Sequence, residues 1–314
     1  MHILLMGGCG YIGGVLTPKL LNLGHDVTVV DIQWFGNHLP ENKRLKVIQQ
    51  DIRNTDAIPM SRVDAIIHLA NIANDPCGDL NAKLAWEVNV LATMTLVERA
   101  IEHGVKQFIL SSSGSVYGVK DEPQVTEDLS LVPISDYNKT KMISERVLLS
   151  YKDRIIVQCI RPATVCGYSP RMRLDLSVNM LTMQALANGR ITVFGGDQTR
   201  PNIHIQDITD VFLHFLNLGD KAPGIYNAGF ENISILDIAR RVTEFVPAEI
   251  IVTESNDPRS YRLNSDKLLA TGFRQKHRVT DAIEEIIAAY RKGHLKDEDL
   301  WYNIRTMKSI ENLG

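Results

Sequence analysis

Tyr137 and Lys141 stand four residues apart in the segment YNKTK, a spacing that places two side chains on one face of a helix. An ammonium beside a phenol stabilises the phenolate and lowers the tyrosine pKa toward working pH. Such a tyrosine can take a proton from a hydroxyl while a hydride leaves the same carbon for a nicotinamide. A bare Y-x-x-x-K also arises as a surface pair on an amphipathic helix, so its surroundings decide. Ser111, Ser112 and Ser113 come directly after the apolar run QFIL and supply the hydroxyl such a reaction needs. In a doubly wound sheet, ligands sit where strands end.

A hydride acceptor needs a cradle, and one is written at the start of the chain. Gly7, Gly10 and Gly13 form G-x-x-G-x-x-G between a strand-like run (HILLM) and an amphipathic stretch near 11–23. Glycines there allow a tight turn and close approach of backbone amides to a pyrophosphate, to which the helix N-terminus adds its positive end. Asp31 stands 18 residues after Gly13, at the end of DVTVVD. A carboxylate in that place accepts from adenosine ribose hydroxyls and repels a 2′-phosphate. With neither Lys nor Arg in 32–36, NAD is favoured over NADP. Asp51 ends the next strand and can accept from the adenine amino group.

The elements that must position these groups alternate. Strands are expected at 2–6, 26–31, 45–49, 64–69, 107–111 and 154–160, and helices near 11–23, 82–103 and 136–152. Repeated strand–helix–strand units predict an α/β fold with a doubly wound parallel (Rossmann) sheet, its strands buried on both faces. After about 165 the rhythm breaks. The stretch 166–173 is a loop rich in Arg and turn formers, a helix is expected at 176–188, and 191–206 reads as short strands around a turn. Asp207 is read as the N-cap of a helix to about 218, and a further helix is expected at 280–292. The domain expectation is therefore 1–165 for the dinucleotide, with 205–228 returning to it. A smaller mixed α/β lobe then comprises 166–204 and 229–314.

Composition removes other classes. Hydrophobic residues make up 44% of the 314 and charged residues 23%, which suits a folded core and excludes global disorder. A formal charge of −3 with few aromatics argues against nucleic acid as a partner. The start MHILLMGG is too short an apolar run for a signal peptide, and no stretch approaches a membrane span. A cytoplasmic protein is expected, with Cys9, Cys77, Cys159 and Cys166 as reduced thiols. No His, Asp, Glu or Cys cluster has metal spacing. His68, His204, Trp301 and Tyr302 are read as core or packing residues.

Taken together, GGCGYIG, DIR at 51–53, HLAN at 68–71, VNV at 88–90, SSSGSVYG at 111–118, YNKTK, RPATVCG at 161–167 and RPNIHIQD at 200–207 resemble the extended short-chain dehydrogenase/reductases of the nucleotide-sugar epimerase/dehydratase family. The resemblance covers nearly the whole chain. It implies Ser113, Tyr137 and Lys141 as the catalytic triad. It also implies cofactor contacts at Tyr11, Ile12, Ile52, Leu69, Ala70, Asn89 and Pro162. For the pyrophosphate of a UDP- or GDP-linked sugar it implies Asn179 and Arg200, with Arg259 as a second clamp. Arginine suits that task because its fork matches phosphate oxygens. A homodimer through the helices at 82–103 and 136–152 is implied as well.

Members of this family begin by oxidising a sugar carbinol, usually C4, and differ in the fate of the resulting ketone. Its dehydratases carry Asp then Glu after the triad Ser/Thr, and its 3,5-epimerases a Cys. Here Gly114 and Ser115 stand there, and neither is a general acid or base at neutral pH. Small residues leave room for a 4-keto sugar to turn over, so a 4-epimerase is expected. A 4-dehydrogenase releasing the ketone is the alternative, since 169–179 resembles a subgroup that includes GDP-heptose 4-dehydrogenases. A 4,6-dehydratase ranks third, with Asp75 as the carboxylate that would reopen it. A non-catalytic dinucleotide-binding regulator ranks last, because the Tyr–Lys pair is retained.

Overall fold

The computed structural model describes residues 1–254 and 260–310. Its first half runs β1 (His2–Met6), α1 (Gly13–Asn22), β2 (Asp26–Asp31), β3 (Leu45–Gln49), β4 (Ala65–His68), α2 (Asp75–Leu80) and α3 (Ala82–Trp86). One π-helical turn, Glu87–Leu91, joins α3 to α4 (Ala92–Glu102), so the helix expected over 82–103 is interrupted. β5 (Gln107–Ser111), α5 (Asp136–Leu149) and β6 (Ile156–Pro162) come next. The second half contains β7 (Thr164–Cys166), α6 (Ser177–Asn188), β8 (Arg190–Phe194), β9 (Thr199–His204), α7 (Ile205–Leu218) and β10 (Gly224–Ala228). It ends with β11 (Glu231–Ser234), α8 (Ile235–Thr243), β12 (Glu249–Thr253), α9 (Asp266–Ala270), α10 (Val279–Arg291) and α11 (Asn303–Ser309).

Seven parallel strands form the main sheet in the order β10-β6-β5-β4-β1-β2-β3. The central strands are apolar without alternation because both faces are covered. Leu16 and Leu20 of α1 and Phe212 and Phe215 of α7 pack on one face. Ala85, Leu96 and Leu148 of α3, α4 and α5 pack on the other. The chain reverses its winding between β1 and β4, and the crevice above the C-terminal ends of those two strands is the place such a sheet offers a ligand.

The second lobe has its own core between α6, α8, α10 and β8, around Leu181, Val193, Ile238 and Ile283. The short strands expected around a turn in 191–206 are present, though they do not pair with each other. β8 runs parallel to β12, and β9 lies between β7 and β11. Gly195 and Gly196, both with positive φ, turn the chain from one sheet to the other. Asp207, expected as the N-cap of α7, does not cap it. His204 is the N-cap, its Nδ1 accepting the Gln206 N–H at 3.1 Å, while the buried Asp207 carboxylate accepts the N–H groups of Lys276 and His277.

Candidate active site

A single cleft of about 540 Å³ runs from the glycine loop across the strand ends to the second lobe. Its floor is backbone. Gly7 has φ +79°, and a Cβ there would stand 2.6 Å from the Ala70 nitrogen; one on Gly13 would stand 2.5 Å from the carbonyl oxygens of Gly7 and Gly8. No larger residue fits either place. α1 starts with no side-chain cap and no acidic residue in its first turn; its Gly14, Val15 and Leu16 amides bond back to the Gly10 and Ile12 carbonyls, and the positive end of the helix is left without a side-chain counter-charge. Tyr11, Ile12, Leu69, Ala70 and Pro162 border the same cleft. Asp31 lines the cleft at the end of β2, one oxygen accepting the Cys9 N–H at 2.9 Å and the other the Gln33 N–H at 2.7 Å. Burial pushes its pKa up and those bonds draw it back. These features fit a dinucleotide. Asp51 and Ile52 also border the cleft, but Asp51 is already engaged by the Arg53 guanidinium at 2.8 Å.

The helix α5 is built to carry chemistry. Ser135 caps it by accepting the Asn138 N–H and donates its own hydroxyl to Asp75. Its buried face is polar (Asn138, Thr140, Lys141, Ser144, Glu145), the reverse of an ordinary core helix. Each of these side chains is hydrogen-bonded, Asn138 through its Oδ1 alone. Ser144 donates to the Asn89 carbonyl at 2.6 Å and Lys141 Nζ to the Ser111 carbonyl at 2.8 Å. Glu145 makes a two-point pair with Arg161 at 2.7 and 2.9 Å and accepts from Ser112. Arg161 continues to the Tyr117 hydroxyl, and Tyr117 to Asn227 at the sheet edge. This rigid layer fixes the strand end that bears Ser113.

Ser113 and Tyr137 both line the cleft, the serine hydroxyl near enough to draw the phenol's pKa down. Ser113 Oγ also lies 2.7 Å from Ser115 Oγ, which donates to Asn138 at 2.5 Å. Burial pushes Tyr137 up to about 12, against the Ser113 hydroxyl and the field of Arg173. Burial likewise pushes Lys141 down to about 7, with Glu145 opposing. The expected lowering of the tyrosine by the lysine is thus not a property of the chain alone, because a dry site disfavours both charges. Gly114 does not line the cleft. A Cβ there would meet the Pro162 carbonyl oxygen at 3.2 Å, so Gly114 serves close packing and does not widen the sugar's space.

Other sequence expectations divide. Arg200 reaches the cleft. Asn179 does not: its amide is spent on the Gly167 N–H, the Tyr11 hydroxyl and the Arg173 carbonyl in a fully buried position, so it braces the cleft wall. Asn89 is likewise buried behind the cleft, bonding both backbone groups of Ile72, which is itself a lining residue. Arg259 lies outside the described residues. Residues to which the sequence pattern assigns no role also line the cleft, among them Arg171, Arg173, Asp175 and Tyr261. Arg173 and Asp175 form a two-point pair with both distances 3.0 Å. Burial works against Asp175, but Arg173 beside it holds the carboxyl below its usual range. The available signal is the run R-x-R-x-D at 171–175, two cations and an acid in a loop of turn formers. Among the described residues, no group of His, Cys, Asp and Glu could hold a metal ion and no helix is long and apolar enough to cross a membrane.

A glycine cradle at the winding reversal, faced by a buried hydroxyl–phenol–amine set, defines a dinucleotide-dependent enzyme of the doubly wound class. The chain belongs to the NAD dependent epimerase/dehydratase family, whose model matches residues 3–229, and it takes NAD as cofactor. A UDP-glucose 4-epimerase of Lactobacillus helveticus is 26% identical over 325 residues, 94% of this chain and 98% of that protein. An uncharacterized UDP-glucose epimerase of Bacillus subtilis is 32% identical over 222 residues, 66% of this chain and 70% of that one. Among solved structures, UDP-glucuronic acid 4-epimerase from Bacillus cereus in complex with UDP-glucuronic acid and NAD is similar with TM-score 0.80 and 28% identity, over 93% of this chain and 99% of that one.

Proposed function

We propose that the chain is a nucleotide-sugar 4-epimerase, acting on a UDP-linked sugar in the cytoplasm as a homodimer. The observation that carries this reading is that Ser113 and Tyr137 line one cleft, with Gly114 and Ser115 next in the chain where the family's dehydratases carry an acidic pair. The named activities of the relatives support it. When bound, NAD supplies the acceptor and donor of hydride. Tyr137 takes the C4 hydroxyl proton as the carbinol is oxidised and returns it when the ketone is reduced on its other face. Ser113 holds the C4 oxygen and shares the proton path. Lys141, one turn along α5 from Tyr137 and fixed on the Ser111 carbonyl, supplies the amine of the set. Arg200, which lines the cleft, is assigned to the substrate pyrophosphate in this reading, and Arg173 lends positive potential near the phenol.

Elimination is the second reading, and Asp75 favours it. Asp75 lines the cleft near enough to Tyr137 to raise its pKa. Mass spectrometry of products from UDP-sugars separates the outcomes. An isomer of unchanged mass, formed without added NAD, is expected. Loss of water would establish a dehydratase, and loss of two hydrogens only with excess NAD a dehydrogenase. The Tyr137→Phe variant is expected to lose two to four orders of magnitude in kcat, on the order of what a positioned acid–base contributes. Retention of full activity would overturn the assignment of Tyr137.

A further inference from the structure

The loop 168–176 carries a cation that the proposed reaction does not use. Arg171 is 2% exposed, its guanidinium carbon 3.8 Å over the Phe35 ring. One terminal nitrogen donates to Asn303 Oδ1 at 2.6 Å. Its Nε is buried without a partner, and no carboxylate lies within ion-pair distance of it among the described residues. A guanidinium dried in this way is costly unless a counter-charge arrives. Burial, with the Arg173 charge adding to it, pushes its pKa down to about 9.

The loop also rests on the start of α1. Ser169 Oγ donates to the Tyr11 carbonyl at 2.8 Å, and a Cβ on Gly14 would stand 3.9 Å from the Arg171 nitrogen. Arg171 therefore lines the cleft across from the uncapped first turn of α1. Two independent features, the uncapped positive end of α1 on one side and a buried guanidinium with an unpartnered Nε and no ion-pair partner on the other, border one cleft, and both favour an anion.

We propose that Arg171 is the counter-ion of the cofactor's pyrophosphate, closing over it from the second lobe, with Phe35 and Asn303 fixing the plane of its fork. Asp31, close enough to feel the Arg171 charge, favours this over a 2′-phosphate, which would bring a second anion against that carboxylate. Asn303 begins α11, and Leu174 N donates to the Trp301 carbonyl at 2.8 Å, so the C-terminal segment holds the clamp in place. A cofactor gripped from both sides suits a reaction in which the hydride returns before the cofactor departs. The inference rests on NAD binding and not on the fate of the sugar.

Calorimetry on cofactor-stripped protein with NAD, NADP, ADP-ribose and adenosine tests it. Arg171→Met is expected to weaken NAD and ADP-ribose about 10- to 100-fold, the range for a charged hydrogen bond, and to leave adenosine within about twofold, since adenosine has no phosphate. The cofactor-free variant is expected to melt no lower than the parent, because an uncompensated buried cation is gone. Arg171→Lys, a charge without the fork, is expected to fall between. Unchanged NAD affinity in either variant would overturn the proposal. So would an equal loss for adenosine, which marks a merely structural role, or a loss confined to NADP, which marks a 2′-phosphate site. No sugar is present in these measurements, so this proposal and the epimerase reading fail separately.

Discussion

His68 lies beneath the cleft at the end of β4, Nε2 2.9 Å from Thr93 Oγ1 and Nδ1 buried without a partner. Burial, with the Lys141 charge adding to it, pushes its pKa down to about 3. The folded protein thus keeps His68 neutral where an unfolded histidine, titrating near about 6.5, takes a proton. Below that value the unfolded chain binds more protons, so this contribution to stability is complete above about 6.5 and is lost as pH falls from there toward about 3. The melting temperature of cofactor-free protein is expected to fall over this window, and His68→Asn to make the fall shallower. An unchanged slope would show that other groups set the acid limit. That Ser113 and Tyr137 come to one cleft is legible in the sequence because a hydroxyl at a strand end and a phenol at the start of the next helix converge where such a sheet offers a ligand. Asn89 and Asn179 mislead because an amide serves a cofactor and a buried backbone equally well. Arg171 and Arg173 escape notice because only the tertiary path of their loop brings them over α1 and beside Tyr137.

At the scale of elements, the glycine loop and α5 carry the site by opposite means. The loop works by absence of side chains. A Cβ at Gly13 would lie 2.5 Å from two carbonyl oxygens, and backbone cannot give way as a flexible side chain can. Gly13→Ala is expected to weaken NAD binding at least tenfold and to lower the melting temperature, as read by calorimetry and thermal scanning. Unaltered binding would mean that the loop relaxes more freely than its packing allows. α5 works by a buried polar face, each group of it tied to a neighbouring element. The alternating strands and helices of the first half are readable from apolar runs and periodicity. The π-helical turn at Glu87–Leu91 is not, since one inserted residue leaves the helical pattern intact on either side. The partners of β8 and β9 are hidden too, because proximity in sequence suggests a hairpin where two glycines with positive φ send the strands to separate sheets.

For the whole molecule, the junction of the π-helical turn with α4 leaves apolar side chains in water. Leu91, the last residue of that turn, is 53% and Met94 of α4 37% exposed, and both segments pack against α5. Apolar side chains grouped this way mark an association surface, in keeping with the proposed homodimer. Leu91→Glu is expected to shift the mass measured by light scattering from two chains to one. A monomeric parent at micromolar concentration would remove the dimer from the proposal.

The edge strand β10 has a consequence in time. It pairs with β6 through Gly224–Ala228, yet the chain between them first builds β7, α6, β8, β9 and α7. During synthesis, at roughly 5–20 residues per second, the open side of β6 therefore stands uncovered for seconds after the rest of its sheet has left the ribosome. An unpaired parallel strand of this kind is a template for other chains. A nascent molecule of this protein passes through an interval in which it is open to chaperones and vulnerable to misassembly, and the arrival of residue 228 closes it.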